Sequence, residues 1–180
     1  KSATATVELT VPPASCIPAA PKRDFTVHAD ERHADGPVRT PKLKVKSGEL
    51  LVAFVSADGS TTQAQSVTEV DGGGLTWTLV RRENTLRGTS EVWQAYAAQK
   101  IRSTRVEVDL AEKVHSVTVT VAGFSRALPT VGSSAGASGT SSAPNVSLTP
   151  QAKGSSVWAV GHVAGSRYVP KPASGQKIVH

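Results

Sequence analysis

Apolar and polar residues alternate along most of this chain with a period of two, and that period predicts strands. The clearest case is Gly72-Gly73-Gly74-Leu75-Thr76-Trp77-Thr78-Leu79-Val80, followed by Glu91-Val92-Trp93-Gln94-Ala95-Tyr96-Ala97. Leu75, Trp77 and Leu79 fall on one face, and Thr76, Thr78 and Val80 on the other. Residues 81–90 between them are mostly polar and carry Asn84 and Gly88, which suit a turn. The pair reads as a hairpin, with Trp77 in the core.

The same reasoning extends along the chain. Residues 1–11 alternate through Ala3, Ala5, Val7, Leu9 and Val11. Residues 25–28 form a short strand before a charged turn over 30–37. Residues 38–45 form another, which Pro41 confines to an edge or a bulge. Residues 50–56 are almost continuously apolar and read as a central strand buried on both faces. Further strands are expected at 66–70, 105–110, 116–124, 146–148, 156–163 and 177–180, while the Gly, Ser, Ala and Thr of 132–144 read as a long surface loop. About ten strands at this spacing, with little or no helix, predict an all-β fold: an antiparallel β-sandwich of jelly-roll or Ig-like type.

Proline divides the chain. Residues 12–21 hold four prolines and read as an extended linker, counted as 12–23, ahead of a sandwich domain over 24–180. The strand at 1–11 is then the last strand of a preceding domain, a strand exchanged with another copy, or one that folds back on the main body. An extended arm over 12–21 reaches roughly 30 Å at about 3.1 Å per residue, which suffices for exchange. The start at Lys1 and the strand that stops at His180 suggest a fragment, truncated at its C-terminal end.

Composition narrows the function classes. The net charge of +6 invites a polyanionic partner, but Arg39, Lys42, Lys44 and Lys46 alternate without neighbouring aromatic residues. They read as the solvated face of an edge strand, not as a nucleic-acid surface. No run approaches the roughly 18 consecutive apolar residues of a membrane-spanning helix. Cys16 is the only cysteine, so neither an internal disulfide nor a cysteine-based zinc site can form.

The segments Ser47-Gly48-Glu49-Leu50-Leu51-Val52-Ala53-Phe54-Val55-Ser56-Ala57-Asp58-Gly59, Gly73-Gly74-Leu75-Thr76-Trp77-Thr78-Leu79-Val80, Gly88-Thr89-Ser90-Glu91-Val92-Trp93-Gln94-Ala95 and Ser156-Val157-Trp158-Ala159-Val160-Gly161 together resemble a β-sandwich module of large secreted bacterial proteins, often found beside Ig-like domains. The resemblance covers residues 25–180. It implies a secreted or cell-surface setting and neighbouring domains in the same polypeptide, and it brings no catalytic residues.

Candidate chemistry is sparse. Trp93, Tyr96 and Trp158 are the glycan-binding candidates, because exposed aromatic rings stack on sugars, and their phase leaves at least one partly exposed. Asp30, Asp58 and Asp71 are placed in loops at strand ends, where Ca²⁺ is the cation such carboxylates would take. His28 and His33 flank Asp30, Glu31 and Asp35, a set that suits a metal or simply a solvated acidic turn. His162 reads as a satisfied histidine of the core or its rim. Gly132-Ser133-Ser134-Ala135-Gly136 fails the nucleophile-elbow pattern, and no Asp/Glu pair stands out as acid and base. No other cofactor signature is present. The expectation is a non-catalytic extracellular module: a spacer, an adhesive unit or a glycan binder. The alternatives are an accessory domain of a secreted hydrolase and a subunit of a strand-exchanged surface assembly.

Overall fold

A computed structural model describes residues 2–9, 20–113, 115–140, 145–164 and 171–180; of the first strand, only the side chain of Thr6 is described. The described residues are strand, turn and irregular structure without helix, and every strand pairing is antiparallel. The fold is all-β and sandwich-like. The strands are β1 (Ser2–Leu9), β2 (Lys22–Ala34), β3 (Val38–Arg39), β4 (Leu43–Val45), β5 (Glu49–Ala57), β6 (Val67–Asp71), β7 (Thr78–Glu83), β8 (Thr89–Ala97), β9 (Ile101–Thr104), β10 (Glu107–Leu110), β11 (His115–Ser125), β12 (Ser134–Gly139) and β13 (Ser156–Val163). Among these residues no helix is long and apolar enough to cross a membrane.

A five-stranded sheet, ordered β2-β11-β5-β8-β7, forms the centre. Its middle strand β5 runs apolar from Leu50 to Val55 because both of its faces are covered. On one face Leu51, Ala53 and Val55 join Val117, Val119 and Val121 of β11. They pack there against Val38, Leu43, Val45, Val67, Val108 and Leu110 from the small sheets β3-β10-β6 and β4-β9. On the other face Leu50, Val52 and Phe54 join Val92, Ala122 and Phe124, with Trp158 and Val160 of β13 packed against them. Each fully buried Val, Leu or Phe contributes about 1.5–3 kcal/mol, so this doubly covered strand is the thermodynamic centre of the fold.

The third sheet is ordered β12-β1-β13. Of the three arrangements open to the first strand, the structure shows the one that folds back: Ser2 lies opposite both Gly139 and Val163, and Val7 opposite Ser134 and Trp158. The linker reading falls largely on residues 10–19, which lie outside the described residues. Lys22 and Arg23, counted there as linker, belong to β2.

Several expected elements differ. The strand expected at 25–28 runs on through the expected turn to Ala34, because β2 is an edge strand whose outward side chains can be charged. The strand at 38–45 is split at Thr40-Pro41-Lys42, since proline cannot donate to a ladder. Residues 72–77 form a turn before β7: Gly72, Gly73 and Gly74 all take positive φ, and the Trp77 indole donates to the Gly72 carbonyl at 3.3 Å. Trp77 is buried as expected, but Leu79 is 41% exposed because a register shift follows it on an edge strand. The expected loop contains β12. Residues 146–148 and 177–180 are not strands.

Candidate functional site

The sequence candidates disperse. Trp93 faces the first core, where its indole donates to Glu91 at 2.9 Å. Trp158 packs in the second core, with ring centres 5.9 Å from Phe54 and 5.1 Å from Phe124 and the Arg23 guanidinium 5.5 Å above it. Tyr96, 39% exposed, lies on the opposite face of β8 from Trp93. The three aromatics therefore share no platform. Asp71 ends β6 and borders a shallow depression with Lys42, Arg105 and Glu107. Asp30 was expected in a loop but lies within β2, opposite Thr118.

Asp30 and Asp58 do meet, across a polar cleft of about 440 Å³ lined also by Arg32, Ser56, Thr118 and His162. The local sequence explains its wall. β5 ends at Ala57, and Asp58 turns the chain by accepting the Gly59 amide at 3.0 Å. Its other carboxylate oxygen accepts from Arg87 at 3.0 Å, while the Arg87 Nε donates to the Gly59 carbonyl at 2.7 Å. Behind it, buried Gln65 donates to the carbonyls of Asp58 and Glu112 and accepts the amides of Ser66 and Glu112. Glu112 in turn accepts the Ser60 hydroxyl and amide at 2.6 and 2.8 Å, and these bonds hold its carboxyl below the usual carboxylate range.

His162 closes this wall from β13. It is 8% exposed, with Nδ1 3.2 Å from the Ser56 hydroxyl and Nε2 3.7 Å from Asp58. Burial pushes its pKa down, against the opposing pull of Asp58. Burial thus favours the neutral imidazole, whose buried Nε2 makes no hydrogen bond. Ser56, His162 and Asp58 stand in the order of a proton relay, but the 3.7 Å gap to Asp58 is too long to complete one. The geometry does not suit a nucleophile. Asp58 is already committed to Arg87, and a Cβ on Gly88 would lie 2.2 Å from the His162 Nε2, so that side of the ring is packed against backbone.

Two other clusters stand out: one adds His180, 150 residues away, to the His28 and Asp30 that the sequence had offered for a metal, and the other was not anticipated. At the rim of the cleft, the His28 and His180 rings stack at 3.7 Å and His180 Nε2 lies 3.0 Å from Asp30. At the opposite end of β5, Glu49 is fully buried beside Asp24, with the Lys46 ammonium 3.0 Å from Asp24. Burial raises the Glu49 pKa. Burial would raise Asp24 as well, but hydrogen bonds from Glu49, Lys46 and Ser125 outweigh it and hold Asp24 at about 2. Of the pair, Glu49 is pushed towards its neutral form and Asp24 towards its charged one.

Comparison with protein families, with curated proteins and with solved structures finds no match for this chain.

Proposed function

We propose that this chain is a non-catalytic β-module of a larger secreted protein, acting there as a spacer or adhesive unit, with a glycan as the ligand of the adhesive version. The observation that carries this reading is how the polar side chains are used. Glu91, fully buried, accepts the Val67 amide, the Thr89 hydroxyl, the Trp93 indole and the Arg82 guanidinium, while Gln65, Asp58, Arg87 and Glu112 knit loop ends to one another. These groups brace strands and have little capacity left for a substrate. The resemblance to modules of secreted bacterial proteins supplies the extracellular setting. The test pairs a broad glycan array with a panel of chromogenic esters and glycosides. Glycan binding lost in Tyr96→Ala supports the adhesive version, and silence on both supports the spacer. Turnover that disappears in His162→Ala would overturn the non-catalytic reading.

A second reading, a strand-exchanged assembly, keeps the order β12-β1-β13 but takes β1 from another copy. Backbone ladders do not distinguish one copy's strand from another's. Mass in solution across a wide concentration range tests it: exchange predicts dimers or larger species that vanish when residues 1–11 are removed.

A further inference from the structure

We propose that His28, Asp30 and His180 form a binding site for a late first-row divalent cation, with Zn²⁺ as the working occupant. This goes beyond the module reading and does not depend on it. Among the described residues these are the one set of three His, Cys, Asp or Glu side chains whose donor atoms converge, all within 4.8 Å of one another. His28 and Asp30 are two apart on β2, so they project from the same face of the strand as a chelating pair. His180 completes the set, with Nε2 3.2 and 3.0 Å from the two Asp30 oxygens.

The geometry is close to what zinc requires. Tetrahedral Zn²⁺ with ligands at about 2.0–2.2 Å places its donors roughly 3.3–3.6 Å apart. The His180–Asp30 spacing is within a few tenths of an ångström of that range. All three side chains are exposed, so the two rings can splay from their stack and let both lone pairs converge, leaving a fourth position to water. Asp30 is already oriented: Thr118, its register partner on β11, donates its hydroxyl to the Asp30 Oδ1 at 2.7 Å. That is the supporting contact a ligating carboxylate ordinarily has. Two imidazoles and one carboxylate select zinc, copper or nickel over Ca²⁺, which takes six to eight oxygens.

The experiment titrates the EDTA-stripped, dialysed full chain with ZnCl₂ by calorimetry, and with CoCl₂ by visible absorption. One Zn²⁺ per chain is expected, together with cobalt bands of four-coordinate intensity. His28→Ala, Asp30→Asn and His180→Ala should each weaken Zn²⁺ at least tenfold, and Thr118→Val by about tenfold as an outer-shell change. His33→Ala should bind like the parent, and CaCl₂ in excess should not compete. Circular dichroism verifies that the variants fold, and the milder His28→Gln provides a second reading. Zn²⁺ binding unchanged by His28→Ala and Asp30→Asn, or no saturable binding below millimolar Zn²⁺, overturns the proposal.

Discussion

If Trp158 is a packing residue and not a ligand platform, truncating it must destabilise the whole protein. The ring lies between Phe54 of β5 and Phe124 of β11, stacked on the first at 5.9 Å and edge-on to the second at 5.1 Å, with Arg23 over its outer face. Complete removal of a buried Trp costs about 3–5 kcal/mol. Within that, each aromatic pair contributes roughly 0.5–1.5 kcal/mol beyond its area. Trp158 is only half-buried, which places Trp158→Ala near the lower end, at about 3 kcal/mol. For a domain of this size that corresponds to a fall in Tm of roughly 6–12 °C. Trp158→Phe keeps one ring and should lose less than half as much. The assay is urea unfolding followed by circular dichroism, with the slope compared between variants so that a shift in midpoint is read as stability. A Trp158→Ala midpoint within about 0.5 kcal/mol of the parent, the range of an ordinary surface substitution, would show that β13 does not pack on the central sheet as described.

Glu91→Ala leaves the Trp93 indole and the Val67 amide without their acceptor and takes from Arg82 its carboxylate partner, though Arg82 keeps the Val67 carbonyl; it should cost about 3 kcal/mol in urea unfolding, the low end for a broken buried pair because Arg82 is partly exposed. Gly88 has φ of +87° and its Cβ position collides with His162 and the Ala57 carbonyl, so Gly88→Ala should lower the Tm. His162→Ala in the same chain should recover only part of the loss, because the carbonyl clash remains. For Asp24, held at about 2 against an ordinary 3.8, the stabilisation is complete above pH 3.8 and is lost as pH falls towards 2. Asp24→Asn should flatten the stability profile in that window. Glu49, raised above 4.5, acts in the opposite sense: its stabilisation is present below pH 4.5 and is lost as pH rises through the raised value. Glu49→Gln should remove that decline while keeping neutral-pH stability at or above the parent's.

Strands with strong periodicity or a continuous apolar run were legible in the sequence. β5, β8, β11 and β13 carry enough Val, Leu, Phe and Trp for the covered faces to be read directly. β12 was not legible, because Ser134-Ala135-Gly136-Ala137-Ser138-Gly139 has no contrast between faces. Its composition has a spatial reason: a Cβ on Gly136 would sit 2.1 Å from the Glu83 carboxylate, so the strand lies too close to β7 for a side chain there. Of the candidate site, His162 and Asp58 could be singled out, and His162 is buried at the rim as its strand implied. Their partners could not be found. Ser56 lies 106 residues from His162, and Asp30 lies 150 from His180. Such pairs follow from strand order, which periodicity does not encode.

The polar chemistry collects where the apolar cores end. The central sheet and the small sheets share a continuous core of Val, Leu and Ala, in which buried Glu91 is held by four donors, while Glu49 lies buried at the end of β5 beside Asp24. β13 meets the second face of the central sheet through Trp158 and Val160. Past the apolar contact, the seam between β13 and the central sheet has to be filled with groups that hydrogen-bond. His162, Ser56 and Asp58 stand at that seam, and the cleft begins where they end. This leaves a polar groove beside β13, next to the His28, Asp30 and His180 cluster. A cation bound at that rim would join β2 to the 171–180 segment.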